Sequence, residues 1–121
     1  MRDAIRQFVQ TQTKEKAYTD FLPDAKSFPN ATGVFCYSDI PQGDGSSWQR
    51  YQIQVRRKTY QNALKDSELL YQMLDSSEEE KTVCLTDDVS CFIRQRNGPR
   101  LLDRGSDYTT FYFEISVFKN G

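Results

Sequence analysis

Between Arg50 and Arg56 the chain alternates strictly: Tyr51, Ile53 and Val55 are apolar, and Arg50, Gln52, Gln54 and Arg56 are polar. A period of two places each set on its own face, so this stretch is predicted to be a strand with one buried and one wet side. At Thr59 the period changes. Tyr60, Ala63, Leu64, Leu70, Tyr71 and Leu74 recur three, four and seven positions apart, which draws one stripe along a helix of about four turns. Thr59 is the natural N-cap, because its hydroxyl accepts from an otherwise unpaired first-turn N–H. A strand and helix this close in sequence are expected to pack as one unit.

The same patterning organises the rest of the chain. Ala4, Ile5, Phe8 and Val9 give residues 2–10 a short amphipathic helix, and Pro23 and Pro29 mark an irregular connector behind Tyr18 to Leu22. Val34 to Ser38 reads as a short strand, and DIPQGDGSS, Asp39 to Ser47, reads as a mobile loop. SSEEEK at 76–81 is a charged turn. Val83, Leu85, Val89, Cys91 and Ile93 fall on odd positions, as in a strand pair or one bent strand interrupted at Asp87 and Asp88. Asn97-Gly98-Pro99 and Gly105 give 97–107 the composition of a long hairpin connection, and Phe111, Phe113, Ile115 and Val117 alternate in the clearest strand of the chain. This order predicts an α+β fold, a mostly antiparallel sheet of about four strands packed with two helices, without internal repeats.

Length makes residues 1–121 a single domain. Sixteen basic against seventeen acidic residues leave a formal charge of -1, so bulk electrostatics do not draw the chain to nucleic acid or anionic membrane. No apolar run reaches the ~20 residues of a membrane span and none resembles a signal peptide, so a soluble protein made in the cytoplasm is expected. Cys36, Cys84 and Cys91 are odd in number and lie in apolar strand-like stretches, as buried reduced thiols would.

Chemistry is sparsely provided for. Histidine is absent, and no GxSxG, P-loop or GxGxxG occurs. The carboxylates Glu78, Glu79, Glu80, Asp87 and Asp88 are contiguous on turns, whereas metal binding or acid/base work needs them converging from separate elements. The chain is read as no enzyme, with neither cofactor nor metal. Its candidate surface is basic: Arg56, Arg57 and Lys58 end one strand, while Arg94, Arg96, Arg100 and Arg104 surround a hairpin. These would form one patch if the elements were neighbours. Interleaved acids favour a protein interface over nucleic acid, and Trp48 beside the Gly/Ser loop is a candidate anchor for it.

Three segments together resemble a known family, the tail terminator or tail-to-head joining minor capsid proteins of long-tailed siphophages. They are YQIQVRRKTYQNALKDSELLYQML, then Asn97-Gly98-Pro99 with Leu101, Leu102, Asp103 and Arg104, and the closing strand TTFYFEISVF. The resemblance covers residues 33–118. It implies a structural virion protein, assembled in the host cytoplasm, that forms a homo-oligomeric ring, a hexamer in the family, on the last layer of the tail tube. Its partners would be other copies of itself, the major tail tube protein and the head-completion or connector protein, with no membrane and no specific nucleic acid. Trp48, Arg56, Arg57, Lys58, Arg100 and Arg104 are then the expected interface residues, and Glu78 to Glu80 would line a lumen that passes DNA. Two alternatives stand beside it: a head-closure or adaptor protein of the phage neck, and a small nucleic-acid-binding regulator using the arginines.

Overall fold

A computed structural model describes residues 1–76 and 81–119. Apolar stripes and alternations dictate its elements. The first helix, α1 (Arg2–Thr13), buries Ala4, Ile5, Phe8 and Val9 and closes on Lys14 in the left-handed region, one turn beyond its expected end. A short strand β1 (Ala17–Thr19) follows, then two long strands, β2 (Ala31–Pro41) and β3 (Ser47–Arg57). The second helix, α2 (Tyr60–Met73), starts as expected: the Asn62 N–H donates to Thr59 Oγ1 at 3.2 Å. Caps of this kind contribute about 1 kcal/mol. The small strands β4 (Val83–Thr86) and β5 (Val89–Cys91) turn at Asp87 and Asp88, where the interruption was expected. The chain ends in β6 (Ile93–Arg104) and β7 (Thr109–Lys119).

Five strands form the main sheet in the order β1-β2-β3-β7-β6, and β4 and β5 make a separate pair. The α+β class and the mostly antiparallel sheet are therefore as expected, with five strands in place of four. The additional strand, β1, pairs parallel with β2 through Ala17↔Thr32 to Thr19↔Val34, a crossover too short to leave a periodic signal. Two expected loops are largely strand. Pairing continues from Ser38↔Arg50 to Pro41↔Ser47, which leaves only residues 42–46 as a turn in place of the Asp39 to Ser47 loop. Likewise 97–104 belongs to β6, and the true turn is 105–108. The backbone edge of β7 needs partners there, and β6 absorbs Gly98 and Pro99 by slipping register between Asn97 and Arg100. Glu78, Glu79 and Glu80 of the expected charged turn lie outside the described residues.

Tyr51, Ile53, Val55, Phe113, Ile115 and Val117 share one face of the sheet, and both helices lie on it, joined by Leu85 and Cys91 of the small hairpin. Tyr51, Ile53, Phe113, Leu70 and Leu74 are fully buried there. Among the cysteines, all free, Cys91 is buried and Cys36 half-buried as expected, but Cys84 is exposed because it faces away from the core side of β4.

Arg57 joins the layers. Its guanidinium is buried on the helix side, where Nε donates to Asp66 of α2 at 2.7 Å, Nη1 to the Arg56 carbonyl at 2.8 Å and Nη2 to Thr32 Oγ1 of β2 at 3.2 Å. Removing one member of a buried pair strands the other charge, at a cost of about 3 kcal/mol, whereas replacing both by apolar groups can be nearly neutral. Arg57→Met is therefore expected to destabilise by ~3 kcal/mol in urea unfolding. Adding Asp66→Leu should recover at least half of that loss; additive losses would contradict this role.

Candidate docking surface

Among the described residues, the second face of the sheet carries no helix. Alternation puts Trp48, Arg50, Gln52, Gln54 and Arg56 of β3 there, beside Tyr112, Glu114, Ser116 and Phe118 of β7. The connector between β1 and β2 crosses one end of it. Leu22 lies so close over Gly33 that a Cβ at residue 33 would meet its Cγ at 3.0 Å, and Phe35 Cε2 at 2.7 Å. Arg56, only 6% exposed, holds the connector down: its Nη2 donates to the carbonyls of Pro23 and Phe28, and its guanidinium lies 6.0 Å from the Tyr108 ring. Burial lowers the Arg56 pKa, partly offset by Tyr108 and the carboxylates of Asp24 and Asp103.

Arg56 and Arg57, expected on display, are thus enclosed within the protomer, spending their donors on the chain's own carbonyls and Asp66. Lys58 is exposed, and its backbone N–H donates to Asn30 Oδ1 at 3.1 Å. It lines a shallow depression with Lys26, Pro29, Asp107 and Tyr108. Arg100 and Arg104 are exposed on β6, and Arg104 stacks on the Tyr60 ring at 5.0 Å. Because Arg56 and Arg57 are enclosed, the arginines that end β3 and those of β6 do not merge into one exposed patch. Trp48 sits at the far end of β3 from Arg57, about 30 Å away at strand spacing.

A different cluster gathers around Trp48. The indole packs on Phe118, centroids 5.2 Å apart, and Arg94 lies over it at 5.0 Å. Arg96 donates from Nε to Ser116 Oγ at 2.7 Å, and Ser116 pairs in register with Arg50 and Arg94. Tyr37, freed by the irregularity between Cys36 and Ser38, hydrogen-bonds Glu114; burial and that carboxylate push its pKa up to about 12. Tyr37, Ile40 and Phe92 remain 49%, 41% and 44% exposed, so this end is both apolar and basic. Sequence reasoning named Trp48, Arg94 and Arg96 but missed Tyr37, near the end of the expected Val34 to Ser38 strand, and Ile40, which sat in the expected loop. The signal was Trp48 itself, an even position continuing the alternation of β3 outward.

Among the described residues, no three His, Cys, Asp or Glu side chains come together as metal ligands would. Nor is any helix among them long and apolar enough to cross a membrane. Residues 5–116 match the family model of the bacteriophage tail terminator protein. The chain belongs to the bacteriophage tail terminator family. The match takes in α1 and the connector, which lay outside the resemblance read from residues 33–118, and it places the chain in a family of phage tail components. A search of curated proteins finds no match.

Two consequences of this terminator fold are measurable. Hydrogen bonds from a charged donor contribute about 1.5–3 kcal/mol, so Arg56→Ala should raise chymotryptic cleavage after exposed Phe21 by more than about tenfold under native conditions. Cleavage rising only in step with global unfolding would deny the clamp. Thiol labelling at pH 8 should find Cys84 reacting first and Cys91 silent until denaturant is added, because burial raises the Cys91 pKa to about 11. Cys84→Ser should abolish the fast phase.

Proposed function

We propose that this protein closes the phage tail: copies form a ring on the last layer of the tail tube and present a surface to the head connector. The observation that carries the proposal is the family match over residues 5–116. The surface chemistry supports it, since a two-layer domain with one face half uncovered and its charges spread along strand ends is suited to binding without turnover. A ring needs two unlike faces on each protomer and a rotation that closes. Its contacts act together on a tube of matching symmetry, so modest pairwise affinities suffice.

Lys58, Arg100 and Arg104 stand out from the sheet ends and meet acidic partner surfaces, setting register more than affinity. Trp48 and its neighbours form a second surface at the opposite end. Arg56 and Arg57 act indirectly, by holding the strand ends and the connector in place.

Deletion of the gene is expected to give overlong tails detached from heads, seen by electron microscopy and reversed by the protein supplied from a plasmid. A head-closure or adaptor role would instead leave detached tails of normal length, and normal virions would refute both. Arg100→Glu with Arg104→Glu, at exposed positions, should leave the unfolding midpoint unchanged and lower infectious titre by about tenfold or more, a loss of ~1.4 kcal/mol in docking.

A further inference from the structure

Asn97 stands apart from the other asparagines of the described residues. Asn30 and Asn62 are each followed by alanine, whereas Asn97 is followed by Gly98. A glycine next in the chain leaves its backbone nitrogen unshielded, and ring closure onto the neighbouring carboxamide is then an intramolecular step between atoms already held close. Regular strands prevent that closure. Their ladders tie up the following N–H, and their side chains stand perpendicular to the sheet, away from it.

At this point β6 is not regular. Its register with β7 slips between Gln95 and Asn97 and again between Asn97 and Arg100, so Gly98 and Pro99 have no partner in the ladder. Asn97 is exposed there, on an edge strand of the sheet. The fold does not ask for glycine at residue 98. Its φ lies outside the left-handed region that Gly43 and Gly45 occupy, and a Cβ would meet nothing nearer than the Tyr71 ring at 3.8 Å. Alanine would fit, yet the residue present is the one that leaves Asn97 open to attack.

We infer that Asn97 is a site of spontaneous covalent modification, in which the Gly98 backbone nitrogen, deprotonated by hydroxide, attacks Asn97 Cγ. A C–N bond forms, the bond from Cγ to Nδ2 breaks, and ammonia leaves with a proton returned by water. Water then opens the cyclic imide at either carbonyl, giving aspartate or a backbone rerouted through the side chain. The consequence follows from what Asn97 holds. Its Nδ2 donates to Glu114 at 2.7 Å, and Glu114 also accepts from Tyr37, with Arg50 and Arg96 nearby. Aspartate at 97 removes that donor and sets a second carboxylate directly opposite Glu114, where like charges repel. The rerouted product adds a methylene to β6 and breaks its pairing with β7. Either product loosens the Tyr37 cluster at the uncovered end of the sheet.

Mass spectrometry of purified protein held at pH 8 tests the site. An Asn120→Ser background removes Asn120-Gly121, the other such pair, which lies outside the described residues. The folded protein is expected to convert at Asn97, mapped to the peptide that contains it, with Asn30 and Asn62 unchanged. Gly98→Ala should leave the urea midpoint unchanged and slow conversion by about tenfold or more, because its methyl hinders the attacking nitrogen. Asn97→Gln should stop it. Hydrogen exchange in β6 and β7 around Glu114 should quicken in aged protein and stay as it was in aged Asn97→Gln. Conversion in urea but not in the folded protein would show that the strand protects Asn97, and conversion with unchanged exchange would separate it from the Glu114 cluster. Either result overturns the inference, and neither bears on the ring proposed above.

Discussion

Successive residues of a strand point to opposite sides of the sheet, and in β3 that constraint is applied to two arginines in a row. Arg57 faces the helices and ties β3 to Asp66 of α2 and Thr32 of β2; Arg56 faces the other way and ties β3 to the carbonyls of Pro23 and Phe28. Each of the two coverings of the sheet is thus fastened to the same point of the same strand. A lysine could not replace either one, since a compact ammonium lacks the planar fork that reaches several acceptors at once. Burying two guanidinium groups is costly, and the cost is bearable because carbonyls, a hydroxyl and a carboxylate meet them.

From that fastening follows the asymmetry of the domain. The helix side is covered along its length, whereas the connector shields only the Arg56 end of the second side. At the Trp48 end the strands of β2, β3 and β7 run on past any covering, through Pro41, Ser47 and Lys119. What projects there is half apolar and half basic, held in place by the Trp48–Phe118 and Arg94–Trp48 stacks. An uncovered sheet of this composition is stable in one chain because aromatic rings and arginine stems cover one another.

The elements with clean periods were legible in the sequence: β3 and β7 from alternation, α2 from its stripe and the Thr59 cap, the β4–β5 turn from paired aspartates. The elements that failed were those in which tertiary pairing overrides local composition. Asn97-Gly98-Pro99 reads as a loop, yet β7 offers an edge that β6 follows by slipping register, and Asp39 to Pro41 stays in strand because β3 lies opposite. The burial of Arg56 and Arg57 was not legible for a related reason. A run of Arg, Arg and Lys looks like a solvated strand end, and nothing local reveals that the connector's carbonyls and Asp66 will arrive to bury two of the three. Only the alternation hinted at it, since adjacent residues of a strand cannot share a face.

On the proposed reading, the near neutrality of the chain bears on when assembly happens. A net charge of -1 gives copies little long-range repulsion. Exposed ion pairs contribute only about 0–1 kcal/mol each, so a rim of them cannot by itself hold two free protomers together at low concentration. The apolar side chains of the uncovered end add to this without dominating, because their largest ring, Trp48, already packs on Phe118 and under Arg94. Lateral contacts of such strength close a ring when the tube end holds the copies side by side and raises their effective concentration, and they do not close one in free solution. On that same reading, a protein that waits for the tail to reach full length is better served by interfaces of this kind than by tight ones, since rings formed early would have no tube beneath them.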